Sequence, residues 1–266
     1  MDRQRVEGTA ERQAGLWGRR ARDWAELQEG QVRPLYDSVL DAFDVGRGTQ
    51  ALDVGCGAGL FLRLAADRGA SVAGLDATAE LLEIARERTP AAELHRGELE
   101  ELPFESERFD LVTGFNSFQF AAQPVNALRE AARVVHEGGA IVIAVWGAPE
   151  QCEAAAILRA LSAVMPAAPP VAPGPFALSA PGALGELARQ AGLTSVRAVE
   201  VSCPWLYASL DDAVRAQSSA GPAALARDHS GEEAVVAVLE EAYAPFEQPG
   251  GGYRLENVFR YAIATP

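Results

Sequence analysis

The chain has 266 residues, 48% apolar and 23% charged, with a formal net charge of -14; this is enough apolar chain for one large α/β domain with an insertion, not for a disordered one. All 23 basic residues are arginine, and the absence of lysine excludes a Schiff-base mechanism, a pyridoxal phosphate anchor and a lysine-based phosphate loop. The acidic balance also opposes nucleic acid, because the most basic stretch, Arg19, Arg20 and Arg22, is interleaved with Asp23 and Glu26 and reads as a solvated helix face.

The N-terminus, MDRQRVEGTAERQAG, lacks the apolar run of a signal peptide, and no window approaches the ~18 apolar residues of a membrane span; a cytoplasmic location with no membrane partner is expected. Residues 16–44 show helical patterning interrupted by Pro34, which predicts two helices ahead of the core. Short apolar runs then alternate with helical stretches. The expected order is strand 51–54, helix 58–68, strand 71–75, helix 79–88 with Thr78 as its cap, strands 92–96 and 108–115, helix 124–136, and strand 140–146. That rhythm predicts βαβ units, a parallel sheet and helices on both faces.

Beyond Trp146 the pattern predicts helix 150–165, a proline-rich loop over 166–176, helix 181–191 and strand 194–203. Helices 209–220 and 231–243 open on the capping-box pairs Ser209 with Asp212 and Ser230 with Glu233. The last run, LENVFRYAIA, alternates and predicts a closing strand, antiparallel because it follows a glycine turn.

The segment ALDVGCGAGLF, residues 51–61, carries the chemistry. A buried strand runs into Gly55, Gly57 and Gly59, a turn that lets a ligand lie almost against the backbone, at the carboxyl end of a parallel strand where open α/β sheets bind ligands. Asp76 ends the second strand, 21 residues after Gly55, where a carboxylate can accept from both hydroxyls of a ribose. Glu98 and Leu99 follow the third strand, placed to meet the edge and face of an adenine, and Phe115 and Asn116 end the fourth beside the first loop. A nicotinamide dinucleotide is the rival ligand. Its fingerprint needs a small residue at the sixth position of G-x-G-x-x-G, where this chain has Leu60, and no basic residue lies between Ala51 and Leu62 to meet a phosphate. Cys56, Cys152 and Cys203 are odd in number and widely spaced, so no disulfide or metal site is expected and Cys56 reads as a small filler of the loop.

The series ALDVGCGAG, GLDAT, GELEELPF, RFDLVTGFNSFQF and AARVVHEGGAIVIAVW, spanning about 45–147, resembles the class I S-adenosylmethionine-dependent methyltransferases, in particular the ubiquinone-biosynthesis-like (type 11) small-molecule group. The resemblance implies a Rossmann-like doubly wound sheet of seven strands in the order 3-2-1-4-5-7-6, strand 7 antiparallel, with a helical cap over the active site. It implies S-adenosyl-L-methionine as cofactor and S-adenosyl-L-homocysteine as product. Carried onto this chain, Asp53, Gly55, Cys56, Gly57 and Gly59 would surround the methionine part, Asp76 and Ala77 the ribose, Glu98 and Leu99 the adenine, and Phe115 and Asn116 the other side. The third-strand motif commonly carries Asp where this chain has Glu98, which shifts the adenine contact by a methylene.

The expected division is an N-terminal helical lid over 1–45, a cofactor-binding core over 46–147, a substrate cap over 148–192 and 204–252, and closing strands over 193–203 and 253–266. A sulfonium is an activated methyl donor, so the protein chiefly aligns the acceptor. Of the three histidines, His136 sits in a helix-stop turn, His95 ends the third strand away from the methyl, and His229, just before the Ser230 cap, is the remaining candidate base. Trp24 and Gln119 are the candidate substrate contacts. The tail Asn116-Ser117-Phe118-Gln119 lacks the N-P-P-Y/F of methyltransferases acting on nucleic-acid adenine or protein glutamine, which with the acidic charge points to a small soluble acceptor. The alternatives are a nicotinamide-dependent oxidoreductase and a non-catalytic S-adenosylmethionine-binding protein.

Overall fold

Between Gln50 and Trp146 four of the five strand segments are largely buried on both faces, which is why their apolar runs are continuous rather than alternating, while the edge segment Glu93–Arg96 has no fully buried residue. The computed structural model describes residues 8–167 and 175–266. Its strands are β1 (Gln50–Val54), β2 (Ser71–Asp76), β3 (Glu93–Arg96), β4 (Phe109–Phe115), β5 (Val135–Trp146), β6 (Thr194–Ser202), β7 (Trp205–Tyr207), β8 (Tyr253–Leu255) and β9 (Val258–Thr265). Seven of them form one sheet in the order β3-β2-β1-β4-β5-β9-β6, and β7 pairs with β8 in a separate ribbon. The first five strands are parallel, and β9 runs antiparallel to both β5 and β6. The expected order and the reversed last strand are therefore present.

The helices are α1 (Ala10–Trp17), α2 (Ala21–Asp23), α3 (Arg33–Ala42), α4 (Leu60–Asp67), α5 (Ala79–Arg88), α6 (Pro124–Val134), α7 (Ala154–Ser162), α8 (Ala183–Gln190), α9 (Leu210–Ser218), α10 (Gly221–Ser230) and α11 (Glu232–Tyr243). Strand β5 sets out the layers residue by residue. Val142, Ala144 and Trp146 pack with Leu35, Val39, Phe61 and Leu62 of α3 and α4, whereas Ile141, Ile143 and Val145 pack with Leu128 and Ala131 of α6 and Leu184 and Leu187 of α8. Each fully buried Leu or Ile in these layers contributes on the order of 1.5–3 kcal/mol. No helix among the described residues is long and apolar enough to cross a membrane.

Several local expectations need correction. Pro34 lies in the first turn of α3 and starts that helix instead of interrupting one, since its missing N–H costs nothing there. Helix α6 stops at Val134, and Val135 already pairs with Phe109 across a bulge, so β5 begins five residues early. A tenth helix, α10, lies where only a connection was expected; Pro222 in its first turn is a helix start, not a break. Ser209 caps α9 by accepting from Asp212 N at 3.1 Å, but Ser230 is the last residue of α10 and donates to Val164 O at 2.8 Å, leaving Gly231 to precede α11. The closing run divides in two. Asn257 is buried and its Oδ1 accepts from Ala154 N at 3.0 Å, so Tyr253–Leu255 pairs with β7 and only Val258–Thr265 joins the main sheet. The proline-rich loop falls largely outside the described residues.

Candidate active site

The sheet changes direction between β1 and β4, and the loops that follow these two strands meet there. Gly55 and Cys56 both donate their N–H to Leu75 O, at 2.7 and 3.0 Å, folding the first loop across β2. Gly55 has φ +81°, and a Cβ on it would lie 2.4 Å from Cβ of Ser117. Only glycine allows the two loops this close. Gly59, at φ +78°, precedes α4 and would place a Cβ 2.7 Å from that of Ala85 on α5.

Asp76 at the end of β2 uses both carboxylate oxygens: Oδ2 accepts from Gly57 N at 2.9 Å and Oδ1 from Thr78 N at 2.8 Å. It fastens the glycine loop to the second crossover. Burial pushes its carboxyl up, and these N–H donors oppose the rise. Past β4, Asn116 adopts φ +51°, a left-handed conformation that asparagine tolerates better than most residues. Asn116 Oδ1, Ser117 Oγ and Gln119 Oε1 are all buried without a hydrogen-bond partner. Buried acceptors of this kind call for a ligand.

These groups share the wall of one cavity of about 210 Å³. Of the expected site residues, Gly55, Gly57, Asp76, Ala77, Glu98, Leu99, Phe115, Asn116, Trp24 and Gln119 line it. Asp53, Cys56, Gly59 and His229 stand outside the lining. Gly59 serves helix packing, and burial raises the Cys56 thiol well above its usual range, consistent with a filler. His229 is exposed in the last turn of α10. It cannot be the base for chemistry in this cavity, because the Gly-Pro start of α10 carries the helix on for nine residues and leaves His229 on the outer surface. His95 pairs with Glu93 at 3.0 Å and His136 with Asp110 at 2.6 Å, both away from the cavity.

Asp53 lies beneath the loop, 3% exposed, and accepts from Thr113 Oγ1 at 2.7 Å. Burial raises its carboxyl from 3.8 to about 7, against the Thr113 bond and with help from Glu29 and Asp76. The folded chain therefore holds a proton that the unfolded chain has released. Between pH ~4 and ~7 the group's contribution to stability falls as pH rises, by up to ~4 kcal/mol at ~1.36 kcal/mol per unit. Asp53→Asn is expected to lack this slope, so its stability relative to the parent rises between pH 5 and pH 8 in urea denaturation; parallel pH dependences would exclude it.

The sequence reading missed the lid's contribution. Thr9, Ala10, Trp17, Gln28, Glu29 and Tyr36 all line the cavity. Ala10 N donates to Glu98 Oε1 at 2.9 Å and Thr9 Oγ1 to Phe120 O at 2.6 Å, docking the start of α1 beside Glu98 and Phe120. The carboxylate expected to meet adenine is thus shared with the lid. After α2 the chain makes a π-turn over Trp24–Gln28, which delivers Glu29 to the start of α4. There Glu29 Oε1 accepts from Leu60 N at 3.3 Å and Oε2 pairs with Arg88. Glu29 is 3% exposed; burial pushes its carboxyl up and Arg88 pulls it back. Arg88 also donates to Ala58 O at 2.9 Å and Ala25 O at 2.6 Å, so its charge is fully engaged. Arg19, Arg20 and Arg22 form exposed ion pairs with Asp228, Glu232 and Glu87, which fits their reading as a solvated face.

A family model described as a methyltransferase domain matches residues 52–143, the stretch that supplies β1 to β5 and the glycine loop. Over that stretch the chain is similar to methyltransferase domains. Demethylmenaquinone methyltransferase of Paenarthrobacter aurescens is 33% identical over 123 residues, 46% of this chain and 49% of that protein. Malonyl-(acyl-carrier protein) O-methyltransferase of Enterobacter lignolyticus is 29% identical over 148 residues, 56% of this chain and 59% of that protein. The chain spans about half the length of these two relatives. A SAM-dependent methyltransferase from Aquifex aeolicus superposes with a TM-score of 0.52 at 20% identity, over 68% of this chain and 92% of its own, which establishes the shared fold. The matched stretch ends within β5, and the residues before 52 and after 143 lie outside it.

Proposed function

We propose that the chain binds S-adenosyl-L-methionine in this cavity and transfers its methyl group to a small acceptor. The observation that carries this reading is Glu29 at the start of α4. In a dinucleotide enzyme the pyrophosphate occupies the N-terminus of the first crossover helix. Here the chain's own carboxylate takes the Leu60 N–H, so that position repels a phosphate and suits a ligand whose linker is uncharged and whose far end carries an ammonium. Glu29, Gly55 and Gly57 would hold the amino-acid part, with Asp53 supporting the loop from below. Asp76 and Ala77 would hold the ribose, Glu98 and Leu99 the adenine, and Phe115 and Asn116 the opposite side. When bound, the cofactor supplies a methyl group on a positively charged sulfur, displaced in line by the acceptor.

The residues of the chain then do three things. The glycine loop and Asp76 fix the donor, the lid and the cap after Trp146 exclude water, and Trp24 and Gln119 position the acceptor. Among the described residues no histidine lines the cavity, so positioning is the main catalytic contribution and His229→Ala leaves turnover unchanged. The family relatives support the methyl-transfer chemistry. Calorimetry tests the reading: S-adenosylhomocysteine is expected to bind in the micromolar range and NAD not at all. Binding of NAD, or of neither, would exclude it.

A further inference from the structure

We infer that the acceptor is an uncharged, flat aromatic molecule bearing a phenolic hydroxyl, read by Trp205 and Gln217 of the cap; this presupposes the methyl-transfer reading and names its substrate class.

The chain has four tryptophans, and all four, Trp17, Trp24, Trp146 and Trp205, line this one cavity. Trp17 and Trp24 meet edge to face at 4.8 Å on the lid side. Trp146 packs against Phe259 at 4.5 Å and Trp205 at 5.4 Å on the cap side. Two aromatic pairs in one lining favour a flat, polarisable guest over an aliphatic or strongly hydrated one.

Charge narrows the class. The charged lining residues among those described are Glu29, Asp76 and Glu98, all at the loop and lid side, and none is basic. A carboxylate, phosphate or sulfate acceptor would enter a cavity whose charged side chains among the described residues are all acidic, with only the donor's sulfonium to set against them. A cationic amine finds no carboxylate among Leu158, Trp205 and Gln217 or beside Trp146 and Phe259 at the sheet, and it would sit against the positive sulfur of the donor. A neutral acceptor avoids both penalties.

Two polar groups on the cap wall have no other use. Trp205 is 2% exposed and its Nε1–H is buried without a partner. Gln217 of α9 is 3% exposed, lines the cavity, and its side chain makes no hydrogen bond among the described residues. One donates only and the other can accept, the pair a hydroxyl needs, since its oxygen accepts while its hydrogen donates. In the transfer the phenol oxygen forms the new C–O bond to the methyl carbon as the C–S bond breaks, the electron pair of that bond remains on sulfur, and the phenolic proton, held toward Gln217 Oε1, is released to bulk solvent as the product leaves.

The test is calorimetric titration of the full chain, loaded with S-adenosylhomocysteine, with three probes of one size: 1-naphthol, 1-naphthoate and 1-naphthylmethylammonium. Naphthol is expected to bind at least tenfold tighter than either ion. Trp205→Phe, which keeps an aromatic face but removes the indole N–H and its fused ring, and Gln217→Leu should each weaken naphthol at least fivefold without lowering the affinity for S-adenosylhomocysteine, and Gln217→Leu should do so at unchanged Tm. Equal or tighter binding of either ion overturns the neutral class. Unchanged naphthol affinity in both variants overturns the assigned contacts. Uptake of S-adenosylhomocysteine, measured first, separates these failures from failure of the methyl-transfer reading itself.

Discussion

Replacing Asp76 by alanine is expected to weaken S-adenosylhomocysteine binding by about 100-fold, or ~2.7 kcal/mol. The side chain does two jobs at once. Its oxygens accept from Gly57 N at 2.9 Å and Thr78 N at 2.8 Å, holding the glycine loop against the second crossover, and it lines the cavity where the ribose is proposed to lie. Hydrogen bonds to a charged acceptor contribute ~1.5–3 kcal/mol each, so loss of the loop tie and of the ligand contact together reaches the stated size. Asp76→Asn keeps one acceptor oxygen for these partners and should fall between the two, at about tenfold by the same scale. Calorimetry decides it; an alanine variant that binds like the parent would remove Asp76 from the ribose.

Gly55→Ala is expected to be the most damaging single change to the site. The residue sits at φ +81°, and the added Cβ would lie 2.4 Å from Cβ of Ser117, an atom fixed to the backbone of the opposite loop. A left-handed alanine costs about 1–2 kcal/mol, and forcing the loops apart about 1–3 kcal/mol more. At ~2–4 °C per kcal/mol for a chain of this size, Tm should fall by ~5–15 °C. The separation also moves Asn116 and Ser117 away from the cavity wall, so cofactor affinity should drop beyond the 100-fold of Asp76→Ala. Equal affinity and Tm in thermal-shift titrations would mean that the loops do not need this approach.

How much of this was legible beforehand differs by residue. Val142 and Ile143 fall on opposite faces of β5 simply because side chains alternate along a strand, and a run apolar at every position is already a strand covered on both sides. Gly55 and Asp76 were legible because a turn without Cβ atoms after one strand, and a carboxylate at the end of the next, both fall at the carboxyl ends of parallel strands, where open α/β sheets bind ligands. Glu29 was not. Its segment, WAELQEG, has no local signal of a ligand site, and only the π-turn and the pairing with Arg88, 59 residues away, bring it to the start of α4. His229 and Ser230 misled for the converse reason: the local pattern fits a cap, but α10 continues through both and the Ser230 hydroxyl goes to Val164 O. What marks Trp205 is a buried N–H without a partner, which no sequence displays, and what marks Gln217 is its place in the cavity wall.

The order of the sheet was implied by the family resemblance; by itself, the sequence determined the alternation of strands and helices and the glycine turn after the first strand. Those follow from side-chain period and backbone freedom, which act within a few residues. The tertiary structure alone decided which lid and cap residues enclose the cavity, that no described histidine reaches it, and that a buried carboxylate occupies the anion position of α4. Those depend on contacts between segments far apart in the chain, where packing and the satisfaction of buried polar groups outweigh any local preference.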